Sequence, residues 1–195
     1  MNLEALLGLL EGQDLGALTS QIGGTEGQVK NGLEAALSAI LAALNKNTDT
    51  EEGAQSLNRA LETKHDGSIL NNVIGYLSNP DLKDGEGILN HLFGSQTSNV
   101  AQAVSKTSGL DTNGTMKMLQ MVAPLVLGAL GQQKKQNNLD AGGLNALTSM
   151  LAGSLGGNEK ASGMMGLVTN LLDANKDGNV MDDIMGMVGK FLSGK

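Results

Sequence analysis

Asp173-Ala174-Asn175-Lys176-Asp177-Gly178-Asn179-Val180-Met181-Asp182-Asp183 organises the reading of the whole chain, because its core occurs twice. Lys176-Asp177-Gly178-Asn179-Val180-Met181-Asp182-Asp183-Ile184-Met185-Gly186 falls on His65-Asp66-Gly67-Ser68-Ile69-Leu70-Asn71-Asn72-Val73-Ile74-Gly75. In both, an Asp-Gly turn is followed by an apolar pair, two Asn or Asp residues and a second apolar pair. Asp bonds to backbone two residues on and Gly accepts a sharp bend, so each stretch reads as a corner that opens a helix.

Upstream of these corners the similarity continues in the same order. Leu6-Leu7-Gly8-Leu9-Leu10-Glu11-Gly12 lines up with Ile88-Leu89-Asn90-His91-Leu92-Phe93-Gly94, and Ala17-Leu18 with Ala103-Val104. Leu33, Leu37, Leu41 and Leu44 then match Leu119, Ala123, Leu127 and Leu130, and Ala54, Leu57 and Leu61 match Leu144, Leu147 and Leu151. Collinear blocks of this kind mark an internal repeat. The expected organisation is a diverged first helical repeat over residues 1–79 and a second over 82–195, with an extra helical segment at about 152–172.

The apolar spacing within each copy is helical. Leu33, Leu37, Ile40, Leu41 and Leu44 follow the i, i+3, i+4, i+7 rule, as do Leu144, Leu147 and Leu151. No run alternates with period two, so strands are not expected. Asp111, Thr112 or Asn113 can cap the helix after it, and Pro124 should kink that helix or begin a new one. Gly53, Gly94, Gly131 and Gly194 stand where apolar runs stop and suit helix C-caps, whereas Gly128 and Gly186 lie inside such runs, where helices can approach closely. Polar joints are expected at residues 45–53, 78–86, 131–138 and 153–161. The predicted fold is all-α: an irregular, orthogonally packed bundle of eight to ten short helices, possessing internal duplication.

Composition narrows the functional classes. The chain has 195 residues, 40% of them hydrophobic but only 2% aromatic, so its core rests on Leu, Ala, Ile, Val and Met. A net charge of −7 argues against a nucleic-acid surface, which needs clustered Lys and Arg. With no Cys, thiolate catalysis and Cys-ligated zinc are excluded. The N-terminus lacks a basic signal-like region, and the longest apolar stretch, Met118 to Leu130, falls short of the ~20 residues that span a bilayer. A cytoplasmic location without a membrane span is the expectation.

The stretch quoted first also has the ligand pattern of a calcium loop. Asp173, Asn175 and Asp177 fill positions one, three and five; Gly178 turns the chain at six, the Asn179 carbonyl stands at seven and Val180 is the apolar eighth. Position twelve, normally Glu, is Ile184, so Asp183 would have to close the loop. The candidate metal ligands are Asp173, Asn175, Asp177, Asn179 and Asp183, and a weak Ca2+ site with Kd ~10⁻⁴ M or worse is expected. The alternative is an Asx turn that ends in an N-cap. In the first copy Glu62, Lys64, Asp66, Asn71 and Asn72 hold the equivalent places, and the lysine opposes a cation, so that turn reads as structural.

Other candidates are weaker. Residues 100–116 read helix, glycine turn, helix, but the second helix offers only Lys117 and Gln120 before turning apolar, so a structural corner is preferred over a DNA-reading one. Nine of ten methionines lie from Met116 onward and interleave with Leu167, Val168 and Val188, as core residues do. His65 should be exposed and His91 half-buried; no Ser/His/Asp grouping can be argued from spacing. A general base at Asp182 or Asp183 is a distant third reading and would need a pocket beside it.

Gly87-Ile88-Leu89-Asn90-His91-Leu92-Phe93-Gly94, Ser108-Gly109-Leu110 and Met121-Val122-Ala123-Pro124-Leu125-Val126-Leu127-Gly128 resemble the YidB-like family of bacterial proteins of unknown function. The ending Asp177-Gly178-Asn179-Val180-Met181-Asp182-Asp183 looks like a recurrent family ending, although Asn175 departs from the acidic residue expected there. The resemblance covers residues 85–195 well and 3–79 as a diverged copy. It implies an all-helical fold and carries no activity, so it assigns no catalytic residue. The functional expectation is a non-enzymatic scaffold or protein-interaction module with an unknown protein partner, the alternative being a helix-turn-helix nucleic-acid binder.

Overall fold

A computed structural model describes residue 8, residues 15–155 and residues 159–173. Among these it is all-α, without strands. The helices are α1 (Leu15–Ile22), α2 (Glu26–Thr48), α3 (Glu51–Thr63), α4 (Val73–Ser78), α5 (Leu82–Phe93), α6 (Thr97–Ser108), α7 (Thr112–Asn137), α8 (Ala141–Leu155) and α9 (Glu159–Leu172), with short 3₁₀ turns at Ser68–Asn72 and Gly94–Gln96. Not all are short: α2 has 23 residues and α7 has 26.

These two helices are the centre. Val29, Leu33, Leu37, Ile40 and Leu41 of α2, and Met118, Leu119, Met121 and Leu125 of α7, are fully buried. Both are apolar nearly all round, the mark of a helix enclosed by others. Around α2 lie α1, α3, α6, α7, α8 and α9; α5 packs chiefly on α7. One hydrophobic core therefore runs from Leu18 to Leu172. The alanines of α2 (Ala35, Ala36, Ala39, Ala43) let its neighbours come close.

The blocks matched in the sequence fall on helices of the same order, α1-α2-α3 and α6-α7-α8. Gly23 and Gly109 both take the left-handed conformation, with φ of 84° and 77°. Two residues on from each, Thr25 and Asp111 become N-caps: Thr25 forms a capping box with Gln28, and Asp111 accepts from Asn113 and Gly114 backbone N–H at 2.9 and 3.0 Å. The two corners also hold each other. Gln28 Nε2 donates to the Gly109 carbonyl at 2.6 Å, and Lys117 Nζ donates to that of Gln21 at 3.1 Å.

Several local expectations are corrected. Pro124 neither ends α7 nor starts a new helix. It lacks the N–H that would bond the Gln120 carbonyl, and α5 places Gly85 against that same carbonyl, where any Cβ would overlap it. Gly94 does cap α5, at φ 54°. Gly131 does not cap a helix: it lies inside α7, which runs through the expected joint at 131–138 and ends at Asn138, the one non-Gly residue with positive φ among those described. Gly53 sits in the first turn of α3, its Cα against the Asn47 carbonyl. Met118, Met121 and Met164 are core, but Met150 is 65% exposed.

By length and mean hydropathy (1.2) α7 is apolar enough to cross a membrane, which its central apolar run alone did not suggest. In this fold 83% of that window is buried within the protein, as befits a core helix.

Candidate binding cleft

The first Asp-Gly corner is fastened to α7 on all sides. Asp66 Oδ1 accepts from the Ser68 N–H at 3.0 Å, and its other oxygen takes Lys135 Nζ at 2.7 Å, which holds the carboxyl well below the usual range. Glu62 binds Lys134 Nζ at 2.8 Å, and Asn72 caps α4 through the Gly75 N–H. Gly67 takes φ 97° against Gln132, and Gly128 and Gly131 of α7 leave room for Ile69 and the His65 carbonyl. Of the residues at ligand-equivalent positions, Glu62 and Asp66 are thus occupied in tying the corner to α7, and Asn72 in capping α4.

This corner also forms one end of a cleft. The end of α3 turns where the N–H groups of Lys64 and His65 both reach the Ala60 carbonyl at 3.0 Å. Asp81 then starts α5 by accepting from the N–H of Lys83 and of Asp84, both at 3.1 Å. α3 and α5 form opposite walls of a cleft of about 580 Å³, floored by Leu44, Asn47 and Thr48 of α2 and Leu127 of α7. The α3 wall presents Gly53, Ser56, Leu57 and Ala60; the α5 wall presents Asp84, Gly87, Ile88, His91 and Leu92. Helical geometry explains the second set, since residues at i, i+3, i+4 and i+7 share a face. The size lies within the 300–1,000 Å³ usual for ligand sites, and the lining mixes Leu44, Leu57, Ile88, Leu92 and Leu127 with polar and charged side chains.

Polar groups gather at one end. Contrary to expectation, His65 is buried, at 7% exposure, and His91 is the exposed one. His65 Nε2 lies 3.8 Å from Asp84 Oδ1, an ion-pair distance too long for a hydrogen bond. Burial pushes the imidazole below its ordinary value; Asp84 opposes that shift and Lys64 adds to it. Tyr76, nearby, has its phenol raised by burial and by the charges of Asp84 and Asp81. Lys64 and Lys83 balance Asp81 and Asp84, so the rim carries no formal net charge. Sequence spacing could not reveal this cleft, because it draws on residues 44–65, 81–92 and 127, which only packing brings together.

Of the predicted metal ligands, Asp173 is at the end of α9, where its N–H donates to the Thr169 carbonyl at 3.0 Å. Asn175, Asp177, Asn179 and Asp183 lie outside the described residues, as do Asp182 and the second Asp-Gly corner. Among the described residues, no group of three or more His, Cys, Asp or Glu side chains is placed to hold a metal ion. The glycine corner at residues 100–116 is present as α6, Gly109 and α7. Its second helix buries Gly114, Thr115, Met118 and Leu119 in the core and spends Lys117 on Gln21, so little of it is left to enter a DNA groove.

The sequence model of a family described as "Bacterial protein of unknown function (DUF937)" matches residues 4–133. That match bears out the YidB-like resemblance read from Gly87–Gly94 and Met121–Gly128. No protein of curated function and no solved structure matches the chain significantly.

Proposed function

This chain belongs to the DUF937 family of bacterial proteins, and we propose that it is a non-enzymatic helical module whose α3–α5 cleft receives an apolar group from a protein partner. One observation carries this reading: α3 and α5 enclose a cleft of about 580 Å³ whose lining includes Leu44, Leu57, Ile88, Leu92 and Leu127. Leucines flanked at one end by His65, Asp84, Lys64 and Lys83 combine the apolar and polar groups that interface pockets use. A photo-crosslinking residue at Ser56, inside the cleft, is expected to capture a discrete protein in cells. The same residue at the exposed Gln102 of α6 should not. Equal adducts at both positions, or none at Ser56, would count against the cleft.

Two finer readings belong with it. The corresponding helix starts at Glu26 and Thr112, and at Glu51 and Ala141, together with the paired left-handed glycines, support an internal duplication. A weak Ca2+ site built from Asp173, Asn175, Asp177, Asn179 and Asp183 rests on the ligand pattern alone. Calcium titrated calorimetrically into wild type and Asp177→Ala should give heat only for wild type; indistinguishable, heat-free titrations at millimolar calcium would eliminate the site. The helix-turn-helix reading is set aside because its second helix is the core helix.

A further inference from the structure

The joint between the two halves of the bundle is slight. α4 ends at Ser78 and α5 begins at Leu82, and Ser78, Asn79 and Asp81 are exposed. Its backbone bonds are local, from the Asn79 N–H to the Tyr76 carbonyl and from the Leu82 N–H to that of Pro80, both at 3.1 Å. The packing, by contrast, runs across it. From beyond the joint α6, α7, α8 and α9 all pack on α2; α8 lies on α2 and α3, and the 3₁₀ turn at Ser68–Asn72 lies on α7. The polar contacts cross in the same way. Gln28 and Lys117 tie the two glycine corners together at one end. At the other, the buried Thr48 and Thr148 hydroxyls lie 2.8 Å apart, and Asn145 Nδ2 donates to the Thr48 carbonyl at 2.6 Å. The closest approaches cross as well. A Cβ on Gly32 would come within 2.8 Å of Leu110 and 2.9 Å of Met118, one on Gly114 would overlap the Ile22 carbonyl, and one on Gly128 would overlap Ile69.

We infer that residues 1–79 and 80–195 are obligate partners of each other, held by the surface between them rather than by the joint, and that each half accepts its complement from a second copy of this chain as well as from its own. A part that folds alone needs its own core. Here the central helix of the first half is walled in largely by helices of the second, and two of those, α8 and α9, rest mainly on first-half helices. The joint then does no more than keep the halves at a high effective concentration. Exchange of identical elements between copies needs only that such a joint be opened.

A recognition sequence for a site-specific protease, inserted between Asn79 and Pro80 of the full chain, lets the joint be cut after folding. The cut protein is expected to elute with the uncut one, to contain both fragments and to keep its helical circular dichroism. Its unfolding becomes bimolecular and so depends on concentration. A tenfold dilution corresponds to about 1.4 kcal/mol. With an m-value of about 2 kcal/mol/M, the urea midpoint of the cut protein should fall by roughly 0.7 M per tenfold dilution, while that of the uncut protein stays fixed. Cut protein refolded together with its ¹⁵N-labelled counterpart should give hybrid pairs in native mass spectrometry. Fragments that separate, a midpoint indifferent to concentration, or an absence of hybrids would each overturn the inference. Wild type provides an independent check: in rising urea, amide exchange of buried residues in α2 and α7 should converge on a single opening reaction. Two distinct openings would mean that the halves unfold separately, and would overturn it too.

Discussion

Replacing Gly131 by alanine tests how closely the first Asp-Gly corner is built against α7. Gly131 lies inside that helix with ordinary helical φ, so on intrinsic propensity alone alanine should stabilise by up to about 1 kcal/mol. The packing says otherwise. A Cβ there would overlap the His65 carbonyl oxygen and come within 2.9 Å of the His65 carbonyl carbon and 3.1 Å of that of Asp66. All three atoms are backbone, so no rotamer change relieves the overlap. The turn must move, and it is held by Lys135 on Asp66, by Lys134 on Glu62 and by Gly67 against Gln132. Overpacking a tight contact typically costs about 1–3 kcal/mol, and a clamped backbone belongs at the upper end. Subtracting the propensity gain leaves a net loss of about 1–2 kcal/mol. With an m-value of about 2 kcal/mol/M, the urea midpoint should fall by roughly 0.5–1 M at unchanged m. Gly163→Ala in α9 is the control, because its Cβ meets nothing within 4 Å and it should raise the midpoint slightly. A Gly131→Ala midpoint equal to or above that of wild type would refute the close-approach argument.

Two further substitutions probe other links. Asp111→Ala removes the cap that satisfies the Asn113 and Gly114 N–H groups at the start of the core helix, and should cost about 1 kcal/mol in urea denaturation; a change under a few tenths would mean that the neighbouring Thr112 or Asn113 takes over. His65 should make stability depend on pH. Because burial lowers its folded value below the ordinary 6.5, the unfolded chain binds the proton first. The stabilisation from keeping it neutral is therefore complete above 6.5 and declines as pH falls below that value, until folded His65 itself protonates. Midpoints measured downward from about pH 7 should decline less steeply in His65→Gln, and parallel curves would contradict the burial argument.

The sequence by itself determined the helical class, the order of the helices and the places where several begin. These are local matters: apolar spacing at 3.6 residues and an Asp at position 111, to which the structure added an equally local capping box at Thr25–Gln28 and a left-handed glycine before each helix. The family could be read from equally local motifs. Tertiary structure alone decided which glycines are turns and which are contacts. Gly94 and Gly131 each end an apolar run, yet only Gly94 ends a helix, because α7 continues under the cover of α5 and the 65–67 turn. It also reversed the two histidines. His65 follows a helix end, which ordinarily faces water, but its carbonyl sinks onto the bare backbone of Gly131 and draws the imidazole into the wall of the cleft. The physical reason is range: a helix is specified by neighbours within four residues, whereas a pocket is the gap left when surfaces from residues 44–65, 81–92 and 127 meet. The Asp-Gly corner that occurs twice in the sequence is, in its first copy, clamped to α7 next to His65 at the end of that gap.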